Sequence, residues 1–256
     1  DVYKRQVTIL VAATDMGQGV KTTFIKLVAH ILEIPMEQVV FDNPDTDIVP
    51  DSGPTVASRT MMVVGGLLAK AAKELKETWQ SLEEQLIETR YKQPAYVEWD
   101  QDTLCGDAYP AYSWGVNVVE VEVDPITYVP KPVYAWSVYD VGKAIDERVV
   151  LGQADGGLTQ GISYGYLEVM QDKDGLVQQR TVTDYVIPTA VDAVPMETVL
   201  MENPFLLGPY GAKGVGELTL IGGAPAVALA IENAIGEEVK QIPVTPEYIM
   251  ELLNDE

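Results

Sequence analysis

Among the residues that could do chemistry, Glu217 stands out by its surroundings. It ends the stretch GAKGVGE, residues 211–217, and is followed at once by the apolar run LTLIGGAPAVALAI. A solvated glutamate at a helix approach would be helped slightly by the helix dipole. A carboxylate desolvated among Gly214, Val215, Gly216 and Leu218 would instead be pushed towards general-base strength near neutral pH. Spacing alone leaves both readings open. Three further glycine-bearing stretches precede helical patterns: MGQG at 16–19, SGPTVASRT at 52–60 and GGLTQG at 156–161. Helix N-termini carry free N–H groups, and glycine lets an anion come close to them, so such loops can cradle a phosphate or a polar cofactor. None has the G-x-G-x-x-G dinucleotide fingerprint or the P-loop lysine, and as isolated turns they are unremarkable.

Other chemistries find little support. One histidine, His30, falls near the apolar face of a helical pattern and reads as structural. With one cysteine, Cys105, there is no disulfide, no Cys–His pair of catalytic pattern and no zinc-finger spacing. Iron–sulfur ligation typically takes about four thiolates, so any electrons would have to leave through another chain. Ser58 and Ser163 have no base nearby in sequence, which argues against a serine hydrolase. The formal net charge of -22 disfavours nucleic acid and anionic membrane surfaces as partners. No stretch was expected to span a bilayer. The single cysteine and the lack of a signal-peptide pattern fit a reducing cytoplasm.

The elements that must position these residues follow from hydrophobic periodicity. VTILVAAT (7–14) reads as a buried strand, and Val20, Phe24, Leu27, Val28 and Ile31 share one face of a helix stopped by Pro35. QVVFDN is a short strand. A long helical pattern runs from 57 to 88 through Gly65-Gly66, which permit close packing or a kink. WGVNVVEVEVD (114–124) and PVYAWSVYDVG read as paired strands. Residues 146–168 are helical but broken at Gly156-Gly157; Asp174-Gly175 turns a hairpin; METVLMEN is a strand; Ala224–Ile235 is a helix. Strands and helices mix without strict alternation, so the expected class is α+β, with two subdomains near 7–112 and 113–256. The opening DVYKRQ back-translates as a transposon end used in library preparation. Residues 1–6 are therefore expected to be non-native and are set apart from the fold.

Five collinear blocks then carry a resemblance. ATDMGQGVKTTFIKLVAHILEIP, SGPTVASRTMMVVGGLLAKAA, WGVNVVEVEVD, the pair YDVGKAID and GQADGGLTQGISYGYLE, and GAKGVGE are similar, in order, to segments of the xanthine dehydrogenase/aldehyde oxidase family. They cover nearly all of residues 7–237 and match the C-terminal part of the large, molybdopterin-binding subunit. The resemblance implies a molybdenum hydroxylase. Such an enzyme oxidises a heteroaromatic (purine-like) or aldehyde substrate with oxygen from water, and electrons leave through iron–sulfur clusters and FAD on partner subunits. It implies that Glu217 is the catalytic base. Met16, Gly17, Gln18 and Gly19 would meet the pterin; Thr55, Val56, Ala57, Ser58, Arg59 and Thr60 would line the phosphate and pterin loop. Gln160, Lys213 and Gly214 complete the cofactor set. Molybdenum would be held by the pterin dithiolene rather than by side chains, and the cofactor would be the cytosine dinucleotide form.

Arg59 is larger than the family's usual residue, and Asp146-Glu147 replaces its Asn-Pro. The resemblance also implies a missing N-terminal half of the subunit. The alternatives kept beside it are a non-catalytic cofactor-binding or assembly module and an incomplete fragment inactive alone.

Overall fold

A computed structural model describes residues 6–79 and 83–254. Five of the six N-terminal residues expected to be non-native lie outside the described residues. The chain divides into two compact units. Unit 1 gathers residues 1–113, 140–150 and 202–215; unit 2 gathers 114–139, 151–201 and 216–256. Each unit is assembled from three separate stretches of the sequence.

Unit 1 is built on two helices. α1, Val20–Leu32, buries Val20, Phe24, Leu27, Val28 and Ile31, the face its periodicity predicts. It ends with Glu33 in the left-handed region and N–H groups of Glu33 and Ile34 returning to His30 and Ala29 carbonyls, just before Pro35. The strand expected over 7–14 is reduced to β1, Val7–Thr8, paired in parallel with β2, Val39–Val40. Beyond Thr8 only Ile9 continues the ladder, by donating to the Val40 carbonyl. The second helix opens with a π-helical turn, Thr60–Val64, and continues as α2, Gly65–Thr78. Gly65-Gly66 serve close packing: a Cβ on Gly66 would lie 2.8 Å from the Leu207 carbonyl oxygen. The helix stops about ten residues earlier than the sequence pattern. Gln85 Nε2 donates to the Thr78 carbonyl at 3.0 Å, and Leu86, on the apolar face of the pattern, is 79% exposed and finds no core. Residues 80–82 lie outside the described residues. A short hairpin, β3 (Trp99–Asp100) and β4 (Cys105–Gly106), occupies the aromatic stretch that carries no periodic signal.

Unit 2 centres on a three-stranded sheet in the order β5-β6-β9: Gly115–Val123, Pro130–Asp140 and Met196–Met201. β5 and β6 are antiparallel, with an irregularity between Glu120 and Val121. Val119 and Ala135 face a core completed by Leu158, Ile162, Val227 and Ile231. The opposite face carries Val116, Val118, Trp136, Val138, Val199 and Met201, all substantially exposed. α3, Glu147–Tyr166, is continuous, so Gly156-Gly157 do not break it. β7, Asp172–Lys173, and β8, Leu176–Val177, form the expected hairpin. After α4, Leu218–Ile221, and α5, Gly223–Ile235, comes α6, Pro246–Asn254, which the sequence reading lacks. By length and composition Leu218–Ile235 is apolar enough to cross a membrane, contrary to expectation. In unit 2, however, this run supplies core residues: Val227 and Ile231 are fully buried. The mixed helices and small sheets make the fold α+β.

Candidate cofactor-binding and catalytic site

Unit 1 brings three of the four glycine stretches together. The first two are stitched by side chains: Ala12 N–H donates to Ser52 Oγ at 2.7 Å, and Thr14 N–H donates to Thr55 Oγ1 at 3.3 Å. The third meets the second through backbone. Gly214 sits so close to Ser58 that a Cβ there would lie 1.5 Å from the Ser58 carbonyl oxygen. Only glycine fits such an approach.

Within the first loop, Asp15 accepts from Gly17 N–H at 2.9 Å and Lys21 N–H at 2.8 Å. Burial works against its charged form. The backbone donors of Lys21, Gly17 and Gly19 outweigh that and hold the carboxyl below its ordinary value. Gln18 closes the loop on itself, accepting from Met16 N–H and donating to the Thr14 carbonyl, both at 2.7 Å. Met16 stays 71% exposed. In the second loop Ala57 and Ser58 both take positive φ, 53° and 52°, an uncommon state for residues with a Cβ. Arg59 turns inward and donates to the Ser52 and Pro54 carbonyls at 2.9 and 3.1 Å. Its bulk therefore stiffens the loop from within. The helical turn from Thr60 begins without a side-chain cap.

Lys213 is buried and committed to protein partners. Its ammonium donates to Asp140 Oδ2 at 2.7 Å and to the Tyr112 carbonyl at 2.9 Å. Asp140 is fully buried and also accepts from Asn203 Nδ2 at 2.9 Å and Gly142 N–H at 3.1 Å. Burial alone would raise the Asp140 pKa; bonds from Lys213, Asn203 and Gly142 reverse that and lower it. Backbone bonds between Lys213 N–H and the Val141 carbonyl, and between Lys143 N–H and the Gly211 carbonyl, lock the same strip. Asp140 and Asn203 escaped the sequence reading, although Asp140 is the second residue of the quoted block YDVGKAID.

Unit 2 holds Gln160 and Glu217, both exposed. The desolvation considered for Glu217 is thus not supplied by its own unit. Its position is nevertheless fixed. Glu217 precedes α4, and its carbonyl accepts from Leu220 and Ile221 N–H. The buried Thr219 donates through Oγ1 to the Gln153 carbonyl at 3.1 Å, and its own carbonyl accepts from Tyr139 Oη at 3.3 Å. α3 carries glycine every fourth residue. Cβ atoms there would fall 2.0 Å from Thr219 Oγ1 at Gly157, 2.3 Å from the Leu220 carbonyl at Gly161, and 3.1 Å from Ala224 at Gly165. One helix face is thereby pressed against the segment after Glu217. The spacing of four was the signal available in the sequence. His30, expected to be structural, is exposed and lies edge-on to Tyr210. Among the described residues no group of three or more His, Cys, Asp or Glu side chains could hold a metal ion.

The family model described as a molybdopterin cofactor-binding domain matches residues 3–100 and 84–194, more than half of the sequence. The chain belongs to that family. It is 27% identical over 282 residues to the 6-hydroxypseudooxynicotine dehydrogenase complex subunit gamma of Paenarthrobacter nicotinovorans, across 95% of this chain and 36% of that protein. It is 26% identical to the xanthine dehydrogenase/oxidase of Rattus norvegicus, across 92% of this chain and 20% of the relative. The solved aldehyde oxidoreductase from Desulfovibrio gigas superposes with a TM-score of 0.84 at 26% identity, covering 97% of this chain and 29% of that one. This molybdopterin-binding chain therefore spans about a third or less of the length of these relatives.

The loops of unit 1 fit a pterin phosphate by their chemistry. The left-handed pair Ala57-Ser58 leads into an uncapped helical turn, and a Cβ on Gly17 would meet nothing within 4 Å. The open space at Gly17 and a helix start with no side-chain cap suit a flat group carrying a phosphate. The α1 end is different, because Asp15 already caps it.

Proposed function

We propose that the chain is part of the catalytic subunit of a molybdenum hydroxylase that oxidises a heteroaromatic or aldehyde substrate with oxygen from water. The observation that carries this reading is the junction of the three loops in unit 1: Ser52 on Ala12, Thr55 on Thr14 and Gly214 on Ser58. In it, Met16, Gly17, Gln18 and Gly19 hold the pterin, and Thr55, Val56, Ala57, Ser58, Arg59 and Thr60 form the phosphate-facing wall. Gln160 and Gly214 contribute from their own segments. Lys213 acts through the buried pair with Asp140, holding Gly214 in place rather than touching the cofactor by its ammonium. The bound molybdenum–pterin group supplies two-electron redox chemistry and the site of oxygen transfer. The cytosine dinucleotide form, iron–sulfur and FAD partners, and a cytoplasmic setting belong to the same proposal.

Glu217 serves as general base, taking the proton from the water-derived oxygen. A base must be held in reach of its proton, and the glycine packing behind Thr219 does this. Loss of such a base typically costs about 10²–10⁴-fold. In the complete enzyme, Glu217→Gln is expected to keep molybdenum content and lose turnover by at least that order. Near-normal turnover in a fully loaded variant would remove Glu217 from the reaction.

A second reading is favoured by the exposure of Met16, Val56, Gln160 and Glu217. It holds that these 256 residues are an incomplete part, inactive alone. Expression in a host that makes the cofactor, followed by metal analysis, tests it: stoichiometric molybdenum and substrate-dependent dye reduction would refute it.

A further inference from the structure

Unit 1 carries an open groove of about 600 Å³ that belongs to none of the glycine loops. It runs along the C-terminal half of α1, from Lys26, and the turn to Met36, and is bordered by Lys73 and Lys76 of α2 and by Tyr210. At about 1.5 Å per residue, His30 is roughly 16 Å along the helix from Gly19. The volume is in the range of small-molecule sites.

The charge there inverts that of the protein. Three of the 17 lysines and arginines, and the single histidine, meet in one groove of a chain with net charge -22. Lys26 pairs with Asp146, and Lys76 pairs with Glu33 at 2.8 Å. Three ammonium groups against two carboxylates leave one positive charge. The remaining ammonium, Lys73 Nζ, lies 6.0 Å from the Tyr210 ring centroid. The His30 ring meets Tyr210 edge-on, with centroids 5.5 Å apart. Tyr210 holds this position with φ 53°, a left-handed backbone that costs a tyrosine energy. The rest of the lining is apolar, with Ala29, Ile31, Ile34 and Met36.

We infer that this groove is a binding site for an organic monoanion, a carboxylate on an aromatic or compact apolar body. The single surplus charge at Lys73 suits one carboxylate. The two rings and the aliphatic floor suit the body. Multivalent anions are disfavoured by the overall negative field. The site is independent of the cofactor reading.

The test uses the 256-residue chain with ¹³C-labelled histidine, in which His30 gives the only imidazole signal. Benzoate is titrated against equal concentrations of acetate and of sodium chloride. The expected result is a saturable millimolar shift of the His30 signal with benzoate, smaller with acetate and absent with chloride. Lys73→Gln should weaken benzoate roughly three- to five-fold, the scale of one partly exposed charge contact. Tyr210→Gly removes the ring while relaxing the left-handed backbone, so it should keep the fold and abolish saturation. A shift that fails to saturate, that chloride reproduces, or that survives both substitutions would overturn the assignment.

Discussion

The buried pair Asp140–Lys213 offers the sharpest test of what holds the Lys213-Gly214 strip. Asp140→Asn keeps the shape and removes the negative charge. It leaves an ammonium only 6% exposed with the Tyr112 carbonyl as its remaining acceptor of full strength. Breaking one side of a buried pair typically costs about 3–5 kcal/mol, because an uncompensated charge stays inside. For a chain of this size that corresponds to a fall in Tm of roughly 6–20 °C. Lys213→Met should cost similarly, since Asp140 would keep only Asn203 and Gly142 as donors. The double variant should cost clearly less than the sum, with coupling of about 1–3 kcal/mol. The pH dependence has a fixed sign. The folded pKa of Asp140 is lowered, so its stabilisation is complete above the unfolded value, near 4. It is lost as pH falls through the lowered folded pKa. The gap between wild type and Asp140→Asn must therefore close in strong acid. Thermal and urea unfolding of all four proteins across pH measures this. Additive single effects, or losses below about 1 kcal/mol, would refute the claim that the pair is desolvated.

Two further outcomes follow from local geometry. Gly157→Ala should destabilise unit 2 by several kcal/mol, since its Cβ would fall 2.0 Å from Thr219 Oγ1, whereas Gly156→Ala meets open space and should stabilise α3 by up to about 1 kcal/mol; paired urea melts decide. Tyr185 donates to Glu168, which pushes its pKa up to about 12. Raised above the unfolded value near 10, this contribution is complete below pH 10 and disappears as pH rises through the folded value. Burial also raises Tyr139 and Tyr166, so the check is a difference: the late part of the phenolate absorbance titration should move to lower pH in Glu168→Gln.

Elements with strong periodicity were legible in the sequence. α1 buries the five residues its 3.6 spacing selects, and the hairpin turns at Asp174-Gly175. The failures share a cause: local pattern does not say which neighbour arrives. Leu86 lies at a helical position yet finds no core, so α2 stops early. Gly156-Gly157 read as a break because propensity cannot show that Thr219 needs the space. The loops were legible by type, and the resemblance assigned roles to their residues. What the sequence could not supply was the partner of Lys213. It lies 73 residues away in Asp140, and only the folded strip joins them.

The backbone around Glu217 is held by close packing against α3. α3 approaches its segment through Gly157, Gly161 and Gly165, and of the three Gly161 is the one whose tightest contacts are all to backbone at under 3.4 Å. A methyl there would lie 2.3 Å from the Leu220 carbonyl and 3.1 Å from the Gly223 Cα, both backbone atoms that cannot swing aside. Helix α3 or the turn after Glu217 must then shift by a substantial fraction of an ångström. On the proposed reading, the cost falls on catalysis more than on loading, because the loop junction lies in unit 1 and α3 brings only Gln160 to the cofactor. A displacement of about 1 Å at a reacting group can cost on the order of 10²-fold. The complete enzyme carrying Gly161→Ala is therefore expected to keep molybdenum and pterin content, with KM little changed and kcat down by tens to hundreds. Gly156→Ala serves as the control for an added methyl on the same helix. If Gly161→Ala turns over like the control while fully loaded, rigid backbone packing is not what aims Glu217. Loss of cofactor in step with activity would show instead that the wedge holds the cofactor site itself.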